Sequence, residues 1–199
     1  MTRIIPGILA MAAIVVASNI LVQFLIFDGL LTWGAFTYPL AFLVTDVMNR
    51  IYGAAEARKV VLAGLITGII CSLIGSQIML EFGPAVPIRI AIASATAFLI
   101  AQLLDIRIFN AVGTQTWWKA PLISTLICSV VDTAIFFSIA FAAFFNQFSV
   151  SAAGQIMWAQ DGNLWISLAI ADWGVKVAVA LFALIPFRMI VGRRDPLIT

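Results

Sequence analysis

The chain has no histidine among its 199 residues, only two cysteines and two tyrosines, and only 10% charged residues. Without histidine it lacks the commonest general base and the commonest ligand for transition metals, so catalytic and metal-centred functions lose most of their ground. Cys71 and Cys128 both lie inside apolar runs with no Cys-x-x-Cys spacing, and neither a disulfide nor a metal site follows from them. A soluble domain carries roughly 25% charged residues, and no long polar segment is present that could form a soluble catalytic domain. What remains is apolar: 63% of residues are hydrophobic and the mean hydropathy is +1.13. This is the composition of a polytopic membrane protein, with the lipid bilayer as its first partner. The net charge of +2 points to no nucleic-acid partner, and no cofactor is expected.

Six apolar stretches are long enough to cross about 30 Å of hydrocarbon at 1.5 Å per residue. They fall near 4–27, 31–49, 59–80, 88–109, 119–146 and 163–187. Turn signals punctuate them at Asp28-Gly29, Gly53, Gly83-Pro84 with Pro87, Gly113 and Asp161-Gly162-Asn163. The first stretch is about twice as long as a signal-peptide core and has no small-residue cleavage site, so it reads as a retained span. Nine of the eleven Lys and Arg residues collect on one side of this arrangement, only Arg89 falls on the other, and Lys176 lies within a span. By the positive-inside rule that side is cytoplasmic. The expected fold is an all-α membrane protein, a single-domain six-transmembrane-helix bundle over 1–199 with both termini cytoplasmic. Dimerisation is left open.

The segment from Thr37 to Lys59 does not end as a plain anchor would. Tyr38, Phe42, Thr45/Asp46 and Asn49 recur at helical spacing and share one face. A carboxylate and an amide there need a partner or a solvated cavity. Deeper in the chain, Asp132 lies eleven residues beyond Pro121, or roughly 16 Å along a helix, which is near the bilayer midplane. It shares a stripe with Thr125, Ser129 and Phe136. Asp172 and Lys176 fall about 12 and 18 Å into the sixth span, on one face at i, i+4 spacing. Each such charge costs roughly 2.5–3.5 kcal/mol on insertion scales.

Two acids thus face one base at similar depth. One reading is a buried ion pair that fixes helix register, with Asp132 bonded to Ser129 or Thr133; the other is a substrate or proton site. Asn19 with Gln23, and Ser94, Phe98, Gln102 and Asp105, add polar residues on shared helix faces. Donors, acceptors and aromatics together suit a flat, hydrogen-bonding organic solute better than a bare ion. A carboxylate can accept two parallel N–H bonds from an amidine-like edge, and Trp165, Trp173, Phe136 and Phe42 could stack on a ring. By contrast, the rows Gly64, Gly68, Ser72, Ser76 and Thr67, Cys71, Gly75 have the spacing of close helix packing rather than of a binding site.

The chain resembles the queuosine precursor transporter family, also called the vitamin uptake transporters, in its proteobacterial type. The likeness runs from about Ser18 to Ile190. It rests on Tyr38-Pro39, Thr45-Asp46, Tyr52-Gly53, Arg58-Lys59, Arg89-Ile90-Ala91 with Ala93-Ser94, and Gln102-Leu103-Leu104-Asp105. Further blocks are Trp117-Trp118, Ala120-Pro121 with Ser124-Thr125, Asp132-Thr133 with Phe136-Phe137, and Asp172 with Lys176. The resemblance implies an inner-membrane importer, not an enzyme, of 7-cyano-7-deazaguanine, with 7-aminomethyl-7-deazaguanine as a second candidate, for queuosine in tRNA. With it the small-molecule partner becomes a deazapurine. The candidate binding residues are Asp132, Asp172 and Lys176 at the midplane, Asp46, Asn49, Gln102 and Asp105 in the cytoplasmic half, and Arg89 near the outer mouth. Lys176, Gln102 or Arg89 could serve the ring carbonyl.

Three other readings compete. A membrane subunit that binds another vitamin or nucleobase could be energised by a separate ATPase, since the chain has no Walker A sequence of its own. An intramembrane aspartyl protease could use Asp132 and Asp172, but Tyr-Asp and Gly-x-Gly-Asp signatures are absent and Lys176 would neutralise one acid. A structural assembly factor would tolerate apolar replacement of every intramembrane charge.

Overall fold

The computed structural model describes residues 2–27, 29–80, 83–113, 115–141 and 164–192. Parts of the fifth and sixth expected spans (142–146 and 163), the Asp161-Gly162-Asn163 turn, Asp28, Arg193 and Arg194 lie outside these residues. A short 3-10 turn, Thr2–Ile4, leads into α1 (Ile5–Leu21). There follow α2 (Gly34–Thr37), α3 (Leu40–Tyr52), α4 (Ala54–Gln77), α5 (Ile88–Val112), α6 (Lys119–Phe141) and α7 (Leu164–Val191). Among the described residues four helices are long and apolar enough to cross a membrane: α4, α5, α6 and the Trp165–Val191 stretch of α7. The helix α1 is apolar but shorter, at 17 residues.

The first two expected spans differ from what is observed. Hydropathy alone carried the first to Phe27, but α1 stops at Leu21. The chain then enters a small antiparallel hairpin, β1 (Leu25–Ile26) against β2 (Leu31–Thr32), in register Leu25 with Thr32. The Asp28-Gly29 dipeptide is a hairpin signal, Gly29 supplies a φ of 88°, and Phe27 itself stands at φ 52°. The second expected span is broken rather than continuous. Pro39 has no N–H to give to the helix, and the backbone passes through tightened bonds from Ala41 N to Tyr38 O (3.0 Å) and Phe42 N to Pro39 O (3.1 Å) before α3 proceeds. A second hairpin, β3 (Met79–Leu80) with β4 (Gly83–Pro84), joins α4 to α5.

The remaining helices start or stop where the turn residues demand. Gly53, at φ 86°, ends α3 and caps α4, which therefore begins five residues before the expected position. Gly113, at φ 77°, ends α5.

Helix faces sort as they should in lipid. Large apolar side chains such as Leu62, Ile66, Ile70, Leu73, Ile92, Ile127, Ile170, Phe182 and Ile185 point outward. Polar side chains, including Thr45, Asp46, Asn49, Gln102, Asp105, Asp132 and Lys176, are inside. The small-residue row on α4 does pack: a Cβ on Gly64 would meet Met11 of α1 at 2.6 Å, and one on Gly68 would lie 3.5 Å from Val15. One end of the bundle gathers the start of α1 (Ile4 against Ala57 and Ile106) and the end of α7 (Phe187 and Val191 against Phe109 and Ala120). The hairpins occupy the other end, tied by Gln23 Nε2 donating to Ala85 O at 3.1 Å.

Candidate functional site

Two buried polar clusters lie inside the bundle. The first joins α6 and α7 to the Pro39 break. Lys176 Nζ donates to Asp132 Oδ2 (2.7 Å) and Thr133 Oγ1 (2.8 Å) and pairs with Asp172 Oδ2 (2.6 Å). Thr133 donates to Asp172 at 3.1 Å, and the Tyr38 hydroxyl donates to Asp132 Oδ1 at 3.0 Å. The ammonium also lies 5.6 Å from the centre of the Tyr38 ring. Lys176 and Asp132 are buried and Asp172 is partly exposed. A desolvated charge is tolerable only when paired and fully hydrogen-bonded, and each buried donor and acceptor here has found a partner.

The second cluster joins α3, α5 and α6. Thr45 donates to Gln102 Oε1, and Thr125 donates to Asp46 Oδ2 at 3.2 Å. Asp105 interacts electrostatically with Asp46 and lies beside the Ser124 hydroxyl. Here the inventory does not close. Asp46 Oδ1, both polar atoms of the Asn49 amide, Gln102 Nε2 and both oxygens of Asp105 are buried with no hydrogen-bond partner. Buried polar groups are rarely left so. A narrow cleft between α3, α6 and α7, lined by Phe42, Asp46, Thr125, Ala180, Leu184 and Phe187, reaches this cluster.

The candidate residues therefore fall into three places. Asp132, Asp172 and Lys176 meet. Asp46, Asn49, Gln102 and Asp105 share the second cluster. Arg89 stands apart, its Nε donating to Ile139 O at 2.6 Å near the far end of α6. Several expected lining residues are elsewhere: Gln23 and Trp173 are exposed, while Asn19 and Ser94 bond back to the carbonyls of Val15 and Ile90 on their own helices. Phe136 stacks edge-on against Phe137 and Phe141. Sequence reasoning missed the Tyr38 hydroxyl as a member of the ionic cluster. Its signal was a tyrosine directly before a proline, in a chain with only two tyrosines.

Comparison with known proteins decides the family. The family described as "Putative vitamin uptake transporter" matches residues 32–191. The chain belongs to this family. Among curated vitamin uptake relatives, the chain is 33% identical over 186 residues to the "Queuosine precursor transporter" of Escherichia coli, covering 87% of this chain and 79% of the relative. It is 33% identical over 167 residues to the "Probable queuosine precursor transporter" of Haemophilus influenzae, covering 78% of this chain and 66% of the relative. A Bacillus subtilis protein of the same description is 28% identical over 173 residues, covering 77% of this chain and 68% of the relative. No solved structure matches the chain. With four helices among the described residues long and apolar enough to cross a membrane, it is a multi-pass membrane protein.

Proposed function

We propose that the protein is a cytoplasmic-membrane importer of queuosine precursors, with 7-cyano-7-deazaguanine as cargo and 7-aminomethyl-7-deazaguanine as the second candidate. The observation that carries this reading is a polar interior in a lipid-facing bundle: an ion triad and, beside it, unpaired carboxylates and amides. Such groups suit a flat base rich in donors and acceptors, and the names of the relatives supply its class. In this reading the chain crosses the membrane six times with both termini cytoplasmic, and the hairpin end faces outward. Asp132, Asp172 and Lys176 form the midplane core of the path, Asp46, Asn49, Gln102 and Asp105 line its cytoplasmic half, and Arg89 stands near the outer mouth.

The test is complementation. The chain is expressed in bacteria lacking both their own precursor transporter and queuosine synthesis, nanomolar 7-cyano-7-deazaguanine is supplied, and queuosine in tRNA is measured. Restored modification is expected, and it should fall at least tenfold when Asp132 or Asp172 is replaced by alanine in protein that still inserts. An inserted wild-type chain that restores nothing would end the assignment of this cargo.

A further inference from the structure

The two clusters differ in one respect that bears on what each can hold. In the triad, the three N–H donors of Lys176 meet Asp132, Thr133 and Asp172, and both oxygens of Asp132 are taken. Nothing buried is left over there. Every buried side-chain polar atom without a partner among the described residues belongs to the second cluster: four carboxylate or amide oxygens and two amide nitrogens, on Asp46, Asn49, Gln102 and Asp105. All four of these residues are at least nine-tenths buried.

These leftover atoms have a pattern. Asp46 and Asp105 lie side by side, two acceptors that cannot bond one another without a proton, and offer oxygens to a donor; Asn49 Nδ2 and Gln102 Nε2 offer donors. A guanine-like edge presents two adjacent N–H donors, on the ring and on the exocyclic amine, next to a carbonyl acceptor. A carboxylate accepts the two parallel N–H groups bidentately, and an amide N–H meets the carbonyl. Phe42, buried on α3, lines the cleft to Asp46 and offers an apolar wall.

We propose that the Asp46, Asn49, Gln102, Asp105 cluster reads the hydrogen-bonding edge of the transported base, and that the Lys176 triad is a latch joining α6 and α7 rather than the reader. The inference rests on the functional reading above, since it takes the cargo to be guanine-like. Sites built to meet a polar group reject analogues lacking it, because the site's own atoms are then left unpaired.

The experiment measures equilibrium binding to the purified full chain in lipid nanodiscs. 7-Cyano-7-deazaguanine is compared with its analogue lacking the exocyclic amine. The wild type is expected to favour the complete base at least tenfold. In Asp46→Asn or Asp105→Asn the ratio should fall below threefold, while Asp172→Asn should weaken both bases alike and so keep the ratio. Asn49→Leu separates recognition from structure: it removes an unpaired buried amide, so the empty protein should melt higher while binding the base at least tenfold more weakly. The proposal is overturned if the aspartate variants of the second cluster keep the wild-type ratio, if Asp172→Asn loses it, or if Asn49→Leu lowers the melting temperature and leaves binding intact. Failure of the cargo assignment looks different. Wild-type protein that restores no queuosine yet is stabilised by guanine or 7-deazaguanine would retire the nitrile-bearing cargo and keep the reader, whereas wild-type protein that no guanine-edged base stabilises would retire the reader.

Discussion

Lys176 is the residue on which most of the interior polarity depends, because its single positive charge is shared between Asp132 and Asp172. Removing one member of a buried ion pair leaves an uncompensated charge and costs about 3–5 kcal/mol. Lys176→Met strands two acids at once and should lower the stability of the detergent-solubilised protein by about that amount. Asp172→Asn should cost less, since Lys176 keeps Asp132 and Thr133 and the lost partner was partly exposed. Denaturation midpoints of the two variants in one detergent would settle the order, and a Lys176→Met midpoint at or above that of Asp172→Asn would contradict it. The meeting of these three residues was legible beforehand because ionisable groups are rare in hydrocarbon and helical rise converts sequence position into depth. The part played by Tyr38 was not legible. Its hydroxyl reaches Asp132 from the turn between α2 and α3 across a separation of 94 residues, and a contact of that range is set by packing, not by local sequence.

At the scale of elements, α4 shows how small residues position the bundle. Gly64 lies against Met11 of α1 and Phe98 of α5, whereas Gly68 has ordinary clearance from Val15. A methyl group at Gly64 would come within 2.6 Å of the Met11 side chain, and overpacking of this kind costs typically 1–3 kcal/mol. Gly64→Ala should therefore lower the denaturation midpoint and Gly68→Ala should leave it close to wild type; equal effects at both positions would mean that the α1–α4 approach is not set by Gly64. The packing role of this row was readable from its four-residue spacing. Helix ends were readable where a glycine at positive φ imposes them, as at Gly53 and Gly113. They were not readable where hydropathy continues past the helix, because Phe24 to Phe27 is as apolar as the span before it, and only the Asp28-Gly29 turn marks the change to a hairpin.

For the whole molecule, the central question is how many times the chain crosses the bilayer, and the geometry constrains the answer through its ends. The start of α1 and the end of α7 pack at the same end of the bundle, as an even number of crossings requires. Among the described residues four helices have spanning length. In the proposed six-crossing arrangement the other two crossings come from α1, at 17 residues, and from α2 with α3, which together advance about 28 Å from Gly34 to Tyr52 at helical rise, close to a hydrocarbon thickness of about 30 Å. The basic residues Arg50, Arg58, Lys59, Lys119 and Arg188 belong to the end that holds the start of α1 and the end of α7, and Trp117 packs there under Arg188 at 5.0 Å. Arginine and lysine excess marks the cytoplasmic side. A fluorescent protein fused at either terminus should therefore be bright, and alkaline phosphatase fused at either terminus inactive, while phosphatase placed in the Gly83-Pro84 hairpin should be active. Active phosphatase at one terminus alone would leave an odd number of crossings and exclude α1 or the broken α2–α3 pair as a span; activity at both termini would instead invert the bundle, placing the unpaired carboxylate and amide cluster in the outer half of the path, where the base would meet it before the Lys176 triad.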